Sequence, residues 1–161
     1  MGLYYIIDGY NLMHKIPRLI NLELHQAREE LLELIKVNNL CGKNKVTVVF
    51  DGRSDVVSPH HKTEHIVLFS EGESADSLIV RLASKMDNPK NIRVVTDDKS
   101  IIIKIRQLDA RHLSIADFVK KGKNRKKSST KRHSLSRDEL EDITQEFHNK
   151  WIKENDTDKG R

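Results

Sequence analysis

The chain has 161 residues, 37% hydrophobic and 33% charged, with a single cysteine and a net charge of +5 at neutral pH. That length can bury a core without a disulfide or metal staple, and one cysteine excludes an internal disulfide framework. No apolar stretch approaches the ~18 residues of a membrane span, and the apolar start is too short for a signal peptide and carries an aspartate, so a soluble cytoplasmic protein is expected.

The positive charge is concentrated. Residues 1–119 balance 16 bases against 16 acids, residues 120–133 hold eight bases and no acid, and residues 134–161 hold five bases against eight acids. One basic segment on a neutral body suits a polyanion held at one place.

Leu3 to Ile7 is an unbroken apolar and aromatic run that stops at Asp8-Gly9, the pattern of a strand buried on both faces. Leu12 to Pro17 reads as a loop. Residues 19–39 read as a helix, with Leu24, Ala27, Leu31, Leu34 and Ile35 on its apolar face. Lys45–Phe50 is a second strand, ending at Asp51-Gly52. Arg53–Thr63 reads as a loop; its adjacent His60 and His61 lack the ligand spacing of a metal site.

His65–Phe69 is a third strand, leading into a helix over 73–83 whose first turn is expected to place Glu73 and Asp76 on one face. Ile92–Thr96 is a fourth strand, ending at Asp97-Asp98. A short helix follows over 99–107, then a short fifth strand at Leu113–Ile115. Residues 120–134 read as a flexible basic arm. A final helix is expected from Leu135 to Lys153, in a segment 135–155, with Ser136 and Glu139 as a capping box and Trp151 as an anchor; 156–161 read as a frayed tail.

Strands alternating with helices indicate an α/β fold with a mostly parallel sheet. Such a sheet brings its carboxyl strand ends to one edge, where ligands bind. Asp8, Asp51, Glu73 with Asp76, and Asp97 with Asp98 follow four successive strands. Clustered carboxylates repel unless a cation sits among them, and oxygen donors without Cys or clustered His favour Mg²⁺ or Mn²⁺. Such an ion suits phosphodiester hydrolysis. The chain carries no G-x-G-x-x-G, Walker A or G-x-S-x-G motif, and Asp8 lacks the second aspartate of a haloacid-dehalogenase-type phosphatase.

Ile7-Asp8-Gly9-Tyr10-Asn11, Val49-Phe50-Asp51-Gly52, Gly72-Glu73-Ser74-Ala75-Asp76 and Val95-Thr96-Asp97-Asp98, in that order, resemble the NYN domain of the PIN-like nuclease superfamily. Within it the chain looks most like the YacP-like branch, typified by a ribosome-dependent mRNA decay endonuclease. The resemblance covers residue 3 to about 119, and the helix ending in Lys150-Trp151 is also similar. It implies a PIN-like three-layer domain over 1–119, with helices flanking the sheet, followed by the arm and the last helix.

It also implies metal-dependent cleavage of mRNA, with the ribosome as a partner. Asp8, Asp76 and Asp98 would hold Mg²⁺ or Mn²⁺, Glu73 would complete the shell or orient water, and Asn11 would brace Asp8 or meet the scissile phosphate. Relatives usually carry a small polar residue where Asp97 stands, so either member of the Asp97–Asp98 pair can face the metal. Asp51 is a further candidate ligand. Arg53 and Lys99, next to the acids, could grip phosphates or stand as solvated surface charges. Lys120, Lys121, Lys123, Arg125, Lys126, Lys127, Lys131 and Arg132 would add salt-dependent affinity for RNA. The alternatives are a non-catalytic RNA- or ribosome-binding module and a small phosphohydrolase acting on nucleotides. The acid set speaks against the first of these, and the extended polycation against the second.

Overall fold

A computed structural model describes residues 2–53 and 65–126. Five strands, β1 (Tyr4–Asp8), β2 (Lys45–Phe50), β3 (His65–Phe69), β4 (Ile92–Val95) and β5 (Arg111–Leu113), form one sheet in the order β3-β2-β1-β4-β5. Every neighbouring pair is parallel. The helices are α1 (Gly9–His14), α2 (Pro17–Ile20), α3 (Leu24–Val37), α4 (Ala75–Ser84), α5 (Lys99–Gln107) and α6 (Ile115–Lys126).

Both faces of the sheet are covered, which is why β1 shows no polar alternation. Tyr5 and Ile7 point into a core shared with Leu12 of α1, Leu19 of α2, Leu31 and Ile35 of α3 and Phe118 of α6. Ile6 points the other way, among Leu78 and Ile79 of α4 and Ile101 and Ile105 of α5. The result is the three-layer arrangement expected from the sequence. β2 and β3 occupy their expected residues, and β5 lies two residues earlier than expected.

Other boundaries differ for identifiable reasons. The loop expected from Leu12 to Pro17 is largely helical, because the Asp8 carboxylate accepts the Asn11 N–H and caps α1 directly at the strand end. Pro17, suited to a first helical turn, opens α2. The helix expected over 19–39 is divided at residues 21–23, so Leu24 is 41% exposed while Ala27, Leu31, Leu34 and Ile35 stay buried. The basic arm begins inside a helix rather than as a flexible segment: α6 continues to Lys126. Ile115 and Phe118 anchor it in the core, and lysine and arginine are good helix formers; Gly122 costs about 1 kcal/mol relative to alanine. The loop carrying His60 and His61, arm residues 127–134, the helix expected from Leu135 and the tail lie outside the described residues. Among the described residues, no helix is long and apolar enough to cross a membrane.

Candidate active site

From β1 the chain runs outward through β2 to β3, then returns to the other side of β1 for β4 and β5. The reversal opens a crevice at the carboxyl ends of β1 and β4, the usual ligand position in such sheets. Asp8 ends β1, and Thr96, Asp97 and Asp98 follow β4.

Thr96 is fully buried and links the two strand ends. Its hydroxyl donates to Asp8 Oδ2 at 3.0 Å and accepts the Asp98 N–H at 3.1 Å. Its carbonyl oxygen lies 2.7 Å from His112 Nε2 on β5. Asn11 completes the frame: its N–H donates to Asp8 Oδ1 at 3.2 Å, and its side-chain oxygen accepts the Asp97 N–H at 3.1 Å. Ser100 serves two acids, donating its hydroxyl to Asp76 Oδ2 at 3.1 Å and its N–H to Asp98 Oδ1 at 2.7 Å.

Asp8 is only 7% exposed. Burial is the main reason its pKa lies above the ordinary aspartate value; the Asn11 and Thr96 hydrogen bonds oppose that rise, while the charges of Asp76 and Asp98 reinforce it. Asp98 is shifted the other way. Hydrogen bonding from Ser100 holds the Asp98 carboxyl below the ordinary value, helped by the Ile101 N–H and the Lys104 charge and opposed by slight burial. Two acids tied to the same threonine hydroxyl thus carry opposite shifts, an arrangement common at functional sites.

The remaining expected acids point elsewhere. Glu73 is not in the helix with Asp76, because Ser74 caps α4 by accepting the Ser77 N–H, leaving Glu73 outside to pair with Arg81. Asp97 is exposed and accepts the Ile115 N–H at 3.1 Å, tying the end of β4 to the start of α6. Of the Asp97–Asp98 pair, Asp98 is the one whose charge reaches Asp8. Asp51 accepts the Ser70 hydroxyl at 2.7 Å and closes the ends of β2 and β3. Arg53 and Lys99 are exposed; Lys99 opens α5 beside Asp98. Lys120 and Lys121 are exposed on α6, the same helix carries Lys123, Arg125 and Lys126, and Lys127, Lys131 and Arg132 lie outside the described residues.

Sequence reading missed Thr96 and Ser100. Threonine in a strand is ordinary and serine near a helix start is common, so neither residue type signals a hub. Thr96→Val is expected to raise the Asp8 pKa further and to destabilise the fold by ~1–3 kcal/mol, since it removes one donor and strands one N–H. Carboxyl NMR titration and chemical denaturation would check both effects, and Thr96→Ser should restore them.

The donors gathered here are carboxylate, hydroxyl and amide oxygens, a hard set suited to Mg²⁺ or Mn²⁺. Among the described residues, no three His, Cys, Asp or Glu side chains are already drawn together as a ligand set. The fit is therefore one of donor chemistry and charge: the repulsion that Asp76 and Asp98 exert on Asp8 is what a cation would relieve.

The chain matches the model of the YacP-like NYN domain over residues 5–158. It is similar to Rae1 (YacP) from Bacillus subtilis, with 26% identity and a TM-score of 0.63 over 80% of this chain and 77% of that one. A tryptophan-to-leucine mutant of Rae1 gives the same identity and TM-score over 80% and 79%. No curated protein matches the chain.

Proposed function

The chain belongs to the YacP-like NYN domain family, and from that premise we propose that it is a metal-dependent endoribonuclease that cleaves mRNA in association with the translating ribosome. The observation that carries this reading is that the charges of Asp76 and Asp98 both act on Asp8 at the carboxyl edge of β1 and β4. The mRNA and ribosome parts are drawn from the family resemblance.

In this reading Asp8, Asp76 and Asp98 would hold Mg²⁺ or Mn²⁺, directly or through water. Such an ion, when bound, activates water and stabilises the leaving oxygen in phosphodiester hydrolysis. Thr96 and Asn11 fix both oxygens of Asp8, so its orientation is set before substrate arrives. Ser100 does the same for Asp76 and Asp98. Glu73, paired with Arg81, is left outside the ligand set. Lys99 is an exposed cation for a phosphate beside Asp98, and the bases from Lys120 to Arg132 add affinity that ignores sequence and falls with salt.

A second reading, a non-catalytic RNA- or ribosome-binding module, draws on the acids not being drawn together as a closed ligand set. Cleavage assays separate the two, using mRNA alone and mRNA under translation, with Mg²⁺ or Mn²⁺ present. Cuts should require the metal, and Asp76→Asn should lower their rate by at least ~10²-fold. Absence of cuts in both settings, with RNA or ribosome binding intact in both proteins, selects the module.

A further inference from the structure

We propose that Arg28 is a phosphate-binding residue for the RNA strand, presented by a cage of three aromatic rings at the carboxyl edge of the sheet, the edge that also carries the acids. The assignment rests on the reading that the protein acts on RNA.

Arg28 lies on α3 and is half-buried. Its guanidinium carbon stands 5.0 Å from the Phe69 ring centroid, 5.4 Å from that of Phe50 and 5.7 Å from that of Tyr10. Nη2 donates to the Tyr10 hydroxyl at 3.0 Å, and Nε is buried with no hydrogen-bond partner. Phe50 and Phe69 are the last residues of β2 and β3, and Tyr10 is two residues past Asp8. The cage therefore sits at the carboxyl edge of the sheet, the edge that carries the acids.

A charge drawn partly out of water ordinarily finds a carboxylate. Among the described residues Arg28 has none, although Glu29 and Glu30 beside it pair with His25 and Arg18. Ring faces attract a guanidinium, which steadies the charge without neutralising it. The rings and the Tyr10 hydroxyl also hold the planar fork in place, so little rotamer freedom is left to lose when an anion arrives. Phosphodiesters are the anions this fork matches. They are also what an acid-lined sheet edge would repel without a fixed cation on that edge.

The test is binding of a single-stranded RNA oligonucleotide to the full-length chain in EDTA, by fluorescence anisotropy across a salt series, for wild type, Arg28→Gln and Arg28→Lys, with thermal unfolding of each. Arg28→Gln should weaken binding about tenfold and flatten the slope of log Kd against log salt by ~0.7, the value for one phosphate on a single strand. Arg28→Lys keeps the charge but not the fork, so it should restore the slope and only part of the affinity. Equal affinity and slope in Arg28→Gln, with a changed melting temperature, would overturn the proposal and leave Arg28 a packing residue. If Arg28→Gln does not fold, Arg28→Lys decides, and wild-type affinity in that variant would overturn it. A wild type that binds no RNA removes the broader reading as well; a wild type that binds while Arg28→Gln binds equally removes only this assignment.

Discussion

Replacing Asp8 by asparagine is expected to lower cleavage by at least ~10²-fold and, at neutral pH without metal, to raise the melting temperature. The two effects share one cause. Burial, reinforced by the charges of Asp76 and Asp98, makes the Asp8 carboxylate unfavourable in the folded chain and lifts its pKa, against the pull of the Asn11 and Thr96 hydrogen bonds. An acid whose pKa is raised on folding favours the folded state fully below its unfolded value near 4, and that contribution is lost as pH rises through the folded value. Asparagine has no charge to bury, yet its carboxamide oxygen can still accept the Asn11 N–H. The advantage of Asp8→Asn should therefore be greatest at neutral pH and should close on acidification towards pH 4. Mg²⁺ should reverse the order, because a ligand bound only by the folded state adds ~2.7 kcal/mol at a hundred times its Kd, and the variant lacks one ligand. Melting curves from pH 4 to 8, with and without Mg²⁺, would check this. A variant less stable than wild type at pH 7 in EDTA would mean that the lost hydrogen bonding outweighs the buried charge.

The second large effect is expected from Gly9→Ala. A Cβ at residue 9 would stand 2.5 Å and 2.6 Å from two Phe50 ring atoms and 2.9 Å from the Val49 carbonyl oxygen. The ring can turn, but the backbone carbonyl of β2 cannot. Glycine is needed here for close approach, and not for a left-handed turn. Alanine gains about 1 kcal/mol of helix propensity at most, whereas forcing atoms into a packed site costs ~1–3 kcal/mol. Destabilisation should win by about 1–2 kcal/mol in urea unfolding. Since Asp8 and Asn11 flank the displaced residue, activity should fall at least ~10-fold in the fraction that folds. A variant with unchanged midpoint and activity would show that the β1–α1 corner is softer than its packing implies.

How far the sequence carried the structure depended on what each residue had to announce. β2 was legible because a strand buried on both faces is largely apolar, and β3 because its apolar run persists at the sheet edge, where Ile66 is 54% exposed. The parallel sheet followed from alternation, and with it the edge where the charges of Asp76 and Asp98 act on Asp8. Sequence order could not tell which acids turn inward. Asp97 differs from Asp98 by one residue and is claimed by the Ile115 N–H, while Glu73 is claimed by Arg81, a residue two helical turns away. α1 was hidden because its cap is the same carboxylate that reads as chemistry. Arg28 was hidden for another reason: on a helix surface, among Glu29 and Glu30, an arginine looks like solvent-facing charge until the strand ends bring three rings to it.

The strand order also sets a timetable. β1 is the earliest of the five strands in the chain and the central one of the sheet, so it waits for both neighbours: β2 from Lys45 on one side and β4 from Ile92 on the other. At ~5–20 residues per second, the interval from Asp8 to β4 is roughly 4–17 s. Throughout it Asp8 lacks Thr96 and Asp98, and the chain emerging from its own ribosome carries only scattered carboxylates. The crevice is complete only once the chain has been made past Asp98, so an activity directed at messages under translation would be silent on the message that encodes it until that point has passed.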